Sequence, residues 1–412
     1  WDEAIAVVER LIQSGDPGAS TYPLLYYYAG YASQQKGDES GAARYFEQAK
    51  QMPPDYCFPF QLEMIAVLGA AIEHDPTDAM APLYLGNLLY DWQPEAAIEE
   101  WEKARDLGSR VATVYRNLGI GYERTEGDRE KAIASYEKAV ALDPSDTRVI
   151  HELDSAYRNA QVPVERRLGM LLEHHQTLVS DEYTMPLASE IELHTLIGEY
   201  DKALSLAKSH HFYIWEGGGG LHTSYVDANV LRGFELLKAN QPEEARPYFE
   251  AAADFPLNME AKKYYASGRS CEVFYHQGTF YEAIGEEGRA REAFEKAVAE
   301  RQYYDRYDVP HFYRGQALKK LGRPDEAKPL FEALIERGRR ELAEIEVTTG
   351  ISFFAKFGDR LTDDIRRSNA HYLIGLGLLG LDKEEEAQAE LAMAADFDIY
   401  NLWAKVMSRG GS

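Results

Sequence analysis

The chain has 412 residues, 45% of them hydrophobic, and its 69 Asp and Glu against 44 Lys and Arg give a formal net charge of −25. This charge disfavours nucleic acid as a partner, because binding it requires a basic stripe on the protein. No apolar run reaches the roughly 18 residues of a membrane-spanning helix, so we expect no membrane insertion either.

The chain begins at Trp1 inside a helical pattern, and residues 1–14 read as the second helix of a helix pair. A targeting signal or an upstream domain would therefore precede Trp1; the cytoplasm is otherwise favoured. Trp1, Ile5, Val8 and Ile12 form an apolar stripe with no first helix before it. Such an open end predicts either a covering domain or self-association through the ends of the array.

A fixed spacing of small and large residues recurs along the chain. After Gly30, an alanine follows 12 residues later and a phenylalanine four residues after that (Ala42, Phe46), and four further glycines repeat this spacing. These are Gly233, Gly278, Gly315 and Gly375. A glycine inside a helix costs about 1 kcal/mol relative to alanine, so it indicates a site where another helix comes close.

Less regular stretches divide the repeats. Residues 147–180 keep the period but lose the small residues, and the unit at 182–209 is similarly loose. A glycine run interrupts 210–225, and 339–369 read as an irregular insert. The predicted organisation is an N-terminal array (1–209), a Trp/Gly-rich connecting loop (210–225), a C-terminal array (226–338), the insert (339–369), and a last repeat with an end helix (370–412).

The segment Arg110–Asp146 shows the repeat most fully. It carries, in order, Tyr115, Leu118, Gly119, Tyr122, Ala132, Tyr136, Ala139 and Pro144. This order resembles the tetratricopeptide repeat, a helix-turn-helix unit of about 34 residues, and we expect Ala132 to face Gly119. The resemblance covers essentially the whole chain. It implies an all-α fold, a right-handed α-solenoid of about nine to ten helix pairs whose first helices line the concave face.

A narrower resemblance rests on short phrases. Leu85–Asp91, Arg116–Gly119 and Trp215–Gly218 look like those of a bacterial family in which a β-rich domain, similar to carbohydrate-active sandwiches, precedes a repeat array. This resemblance implies an accessory region of a carbohydrate-active protein. The sequence itself contains no strand-rich segment, so it assigns no activity to this chain.

One candidate site is an anion grip. Tetratricopeptide domains that hold acidic chaperone C-termini use a basic residue, two asparagines and two further basic residues; Asn87, Asn117 and Arg148 match three of these places. Leu83 and Glu152 occupy the other two, and Glu152 would repel a carboxylate, although Arg116 offers a partial substitute. Alternatively, the asparagines bond neighbouring backbone along the stack.

A second candidate site is an aromatic wall on the concave face of the C-terminal half. Its residues are Tyr275, His276, Phe312, Tyr313, Gln316 and Tyr372. Such side chains hold an extended peptide or stack on a sugar ring. The alternative is that they pack between adjacent first helices.

The third candidate is a loop contact at Trp215, Glu216 and His222. Long loops are often functional, but Trp215 also suits a plug where regular stacking breaks. The histidine spacing here fits no metal-ligand motif, and the two cysteines, Cys57 and Cys271, lie far apart. We therefore predict no metal and no cofactor.

No nucleophile elbow, phosphate loop or zinc-helix motif occurs in the sequence, so no catalytic residue is predicted. The leading hypothesis is a non-catalytic scaffold that binds a protein or peptide through its concave face. The two alternatives are self-assembly into an oligomer or filament, and an accessory role in a carbohydrate-active protein.

Overall fold

The computed structural model describes residues 1–213, 220–260, 269–300, 308–347 and 362–409. Throughout these ranges the regular structure is helical and there is no strand, which confirms the all-α fold. A β-rich domain therefore does not lie within the described part of the chain. None of the helices in these ranges is both long and apolar enough to cross a membrane. Packing divides the chain into two compact units, unit 1 (Trp1–Ala156) and unit 2 (Tyr157–Ser412).

Unit 1 is a stack of helices in which neighbours along the chain pack as antiparallel pairs, α3 with α4, α6 with α7 and α8 with α9. The helices are α1 (Asp2–Ile12), α2 (Pro17–Ser20), α3 (Pro23–Lys36), α4 (Glu39–Gln51), α5 (Met64–His74), α6 (Met80–Leu89), α7 (Pro94–Asp106), α8 (Ala112–Gly121), α9 (Arg129–Leu142) and α10 (Thr147–Asn159). A π-helical turn, Tyr122–Glu126, extends α8. The last turn of α10 already belongs to unit 2.

Unit 2 continues the same pairing, α15 with α16, α17 with α18, α19 with α20 and α21 with α22. Its helices are α11 (Val164–Glu173), α12 (His175–Ser180), α13 (Met185–Leu196), α14 (Tyr200–Ser209), α15 (Gly220–Lys238), α16 (Pro242–Ala251), α17 (Ser270–Ala283), α18 (Glu287–Ala299), α19 (Val309–Lys320), α20 (Pro324–Val347), α21 (Asp363–Gly380), α22 (Glu384–Phe397) and α23 (Leu402–Ser408). One buried apolar cluster runs from α15 to α23, so each pair covers the apolar face of the next.

Capping residues define where the second helices begin. Asp38 and Asp128 precede α4 and α9, and their carboxylates accept backbone N–H groups of Gly41 at 2.9 Å and Lys131 at 3.0 Å. Prolines open other second helices, where the missing N–H costs nothing. These are Pro94, Pro242 and Pro324.

The repeated glycines lie at close helix crossings, as their spacing predicts. A Cβ on Gly119 would meet the Tyr136 ring, with Cε1 at 2.7 Å. At Gly278 it would meet the Phe294 ring, with Cε1 at 2.5 Å. The small residue lets the two helices approach, while the large residue one turn later folds over the glycine and fills the remaining space.

Helical structure extends into two segments that the sequence analysis set apart. Helix α15 begins at Gly220, inside the predicted connection of 210–225. At the predicted insert of 339–369, α20 runs on to Val347 and α21 begins at Asp363, while 348–361 lie outside the described residues. Near its middle, α20 approaches α21 closely at Gly338, where a Cβ would lie 2.6 Å from the Ala370 carbonyl oxygen.

Candidate functional site

Two asparagines from adjacent first helices of unit 1 are joined directly. Asn117 Nδ2 on α8 donates to Asn87 Oδ1 on α6 at 2.7 Å, and Trp101 Nε1 on α7 donates to the same oxygen at 3.0 Å. Trp101 is buried while both asparagines are half-buried. With two donors on its oxygen, the Asn87 amide is fixed in one orientation.

An ion pair lies beside the asparagines. Arg116 on α8 forms two parallel hydrogen bonds with Glu152 on α10, including Nε to Oε2 at 2.8 Å. Burial opposes the charge of Arg116, but the hydrogen bond and charge of Glu152 outweigh it and raise the arginine pKa. The predicted partial substitute for a clamp arginine is therefore neutralised by its neighbour. Arg148 is exposed at the start of α10.

The predicted aromatic wall of unit 2 is largely buried. Phe312, Tyr313 and Tyr372 are each less than 10% exposed, as is His276. Tyr275 and Gln316 are half-buried, and the Tyr275 ring lies 5.6 Å from that of Tyr313. The wall thus packs between adjacent first helices, the alternative that the sequence left open, and whether it also binds a ligand stays a prediction.

The C-terminal helix α23 lies against this wall. Its Trp403 ring stacks on the His276 imidazole with 5.5 Å between centroids and an interplanar angle of 11°. The Trp403 Nε1 donates to Asp227 Oδ1 on α15 at 2.7 Å. Ile374 and Leu378 of α21 cluster with Ile335 of α20, because α21 packs closely on that helix.

Two segments of the chain match sequence models of the tetratricopeptide repeat. The first covers residues 114–148 in unit 1, and the second covers residues 311–337 in unit 2. They contain the glycine crossings at Gly119 and Gly315. Tetratricopeptide repeats are generally non-catalytic, and their stacked first helices form surfaces for binding protein partners, which supports a protein-interaction scaffold.

Two solved tetratricopeptide structures are similar to parts of this chain. YrrB, described as a tetratricopeptide protein with an unusual peptide-binding site, is 19% identical over 56% of this chain and 90% of its own, with a TM-score of 0.26. A tetratricopeptide repeat protein from Parabacteroides merdae is 15% identical over 72% of this chain and 98% of its own, with a TM-score of 0.31. Because these TM-scores are low, the similarity to tetratricopeptide repeats rests on the two sequence matches and on the packing of the helix pairs.

The predicted loop contact is only partly described. Trp215 and Glu216 lie outside the described residues. His222 is buried on α15, where its Nε2 donates to the Asp254 carbonyl oxygen at 3.0 Å and its ring stacks on Phe255 at 4.5 Å. Burial lowers the pKa of His222 below its ordinary value. This residue therefore fixes the turn after α16.

An exposed apolar strip precedes α5, and the sequence analysis did not single it out. Tyr56, Phe58, Phe60 and Leu62 are all at least 69% exposed, whereas Cys57 between them is buried. The segment is not helical, and its alternating large residues were the available signal. Four large side chains in seven residues exceed the scattered apolar exposure that is normal for a surface.

Within the described ranges, no group of three or more His, Cys, Asp or Glu side chains is arranged to hold a metal ion. Both cysteines are buried and unpaired with each other.

Proposed function

We propose that the chain is a protein-interaction scaffold that holds an extended segment of a partner on the surface formed by α6, α8 and α10, the first-helix face of unit 1. The observation that carries this proposal is the Asn87–Asn117 pair. Because Asn87 Oδ1 already accepts two hydrogen bonds, the Nδ2 group of Asn87 and the second N–H of Asn117 remain as donors for a ligand.

The charges beside the pair support recognition of peptide backbone rather than of an acidic tail. Arg116 and Glu152 neutralise each other, so the face offers fixed amides with little net positive charge. A side-chain amide matches the N–H and C=O groups of an extended backbone, whereas a carboxylate is held best by a cation with paired donors. An acidic tail would depend on Arg148 at the start of α10.

A displayed library of random 16-residue peptides, selected against the full chain, tests the proposal. We expect enriched peptides without an acidic consensus that bind wild type and bind Asn117→Ala more weakly. The Glu130→Ala variant, changed at an exposed position on the second helix α9, serves as the control. Peptides with an acidic consensus, lost on Arg148→Glu and unaffected by Asn117→Ala, would contradict backbone recognition and favour the anion grip.

Self-association is the second candidate function, and the apolar strip at Tyr56, Phe58, Phe60 and Leu62 favours it. Burial of such a strip against another copy would remove its side chains from water, at about 25 cal/mol per Å². Light scattering over a range of concentrations should then show mass above 46.6 kDa, and a Phe58→Ser, Phe60→Ser double variant should return it to the monomer. A monomeric wild type at all concentrations would refute it.

A further inference from the structure

The buried polar cluster beneath α23 in unit 2 carries a separate inference. Arg269 Nη2 donates to Asp227 Oδ1 and to Glu272 Oε1, each at 2.6 Å, and its Nε donates to Glu272 Oε2 at 2.9 Å. Two carboxyl groups thus share one guanidinium. The indole N–H of Trp403 is the donor that α23 contributes to this cluster.

The polar groups around this cluster are incompletely satisfied. Within the described residues, His276 Nδ1 and the hydroxyl groups of Tyr313 and Tyr372 are buried without a hydrogen-bond partner, and His276 Nε2 lies 3.8 Å from Glu272 Oε1. A buried polar group without a partner is destabilising, and such groups in native proteins call for an explanation. The resident helix therefore covers the site while leaving several of its hydrogen-bonding groups unused.

The contacts of α23 are those of a short docked segment. It spans seven residues, and Ala404 is its one buried residue. The chain before it adds further anchors. There the Asp398 carboxylate pairs with both Arg158 Nη atoms at 2.8 and 2.9 Å, and the Tyr400 hydroxyl donates to the Val162 carbonyl oxygen.

From these observations we infer that the face of unit 2 around Asp227, Glu272 and His276 is a recognition site for a helical protein segment bearing a tryptophan. In this chain α23 occupies that site in cis. A partner segment that presents an indole N–H to Asp227, and further polar groups to His276, Tyr313 or Tyr372, competes with it. This site is distinct from the first-helix face of unit 1, and its test does not depend on that proposal.

The test uses the full chain and a fluorescent peptide of residues 398–409, DIYNLWAKVMSR. In the wild-type chain α23 fills the site. In a Trp403→Ala chain the resident helix loses its stacking and its hydrogen bond, so we expect the peptide to bind at least tenfold more tightly than to wild type. The same peptide with alanine in place of tryptophan is the matched control and should not bind.

A second substitution identifies the site. Asp227→Ala, introduced together with Trp403→Ala, removes the acceptor of the indole and should abolish peptide binding. A folded Trp403→Ala chain that does not bind the peptide would overturn the inference, as would binding that is indifferent to Asp227→Ala or to the peptide tryptophan. If the Trp403→Ala chain does not fold, the Arg158→Ala chain is used in its place, because this substitution loosens the anchor of α23 outside the site. A folded Arg158→Ala chain that does not bind the peptide would equally overturn the inference.

Discussion

Alanine at Gly278 and at Gly169 should change stability in opposite directions. Both glycines lie inside helices of unit 2. A Cβ at Gly169 meets nothing within 4 Å, so the variant gains the helix propensity of alanine, about 0.5–1 kcal/mol. At Gly278 the same atom lies 2.5 Å from Phe294 Cε1 and 2.6 Å from its Cδ1. Overpacking of this kind typically costs about 1–3 kcal/mol, which exceeds the propensity gain.

Urea unfolding followed by circular dichroism measures both variants against wild type. The expected result is a higher midpoint for Gly169→Ala and a lower one for Gly278→Ala, with the loss confined to the transition of unit 2. Gly69→Ala and Gly119→Ala form the equivalent pair in unit 1, because Gly69 faces open space and Gly119 faces Tyr136. If Gly278→Ala stabilised the protein as much as Gly169→Ala does, the close contact between Gly278 and Phe294 would be refuted.

The remaining predictions concern buried charge and pH. The Asp398 carboxylate is only 4% exposed, and Arg158→Ala leaves it without its partner. The free energy of unfolding should therefore fall by about 2 kcal/mol or more. An Asp398→Asn, Arg158→Ala double variant should recover part of this loss in the same urea titration. Burial lowers the pKa of His222 in the folded chain. Near pH 6.5 the His222 imidazole therefore takes up a proton only in the unfolded chain, so the free energy of unfolding should fall as the pH drops from 7.5 to 5.5. His222→Phe should make that decline shallower, and an unchanged slope would contradict the assignment.

The repeats could be predicted because their spacing reflects local geometry. A glycine and a large residue about 16 positions later meet in every such pair, for example Gly30 with Phe46 and Gly315 with Phe331. Helix pairing depends on this contact and on caps such as Asp38, all of which lie within one repeat. The fold class therefore followed from residues close together in the sequence.

The sites could be predicted less well, because their partners come from different helices. The register identified Asn87 and Asn117 but gave no sign that they bond to each other, or that Glu152 neutralises Arg116. The contacts of the end helix, α23, were harder still to predict. Trp403 reaches Asp227, 176 residues earlier in the chain, and no repeat pattern encodes a contact of that range.

The affinity of one library-selected peptide for matched variants tests the central claim most directly. Isothermal titration would compare wild type, Asn117→Ala and Glu130→Ala at constant salt. Loss of one hydrogen bond at about 0.5–1.5 kcal/mol predicts roughly two- to twelvefold weakening for Asn117→Ala. Glu130→Ala should bind as wild type does. Equal affinities for wild type and Asn117→Ala, with both chains folded, would contradict binding at the first-helix face of unit 1.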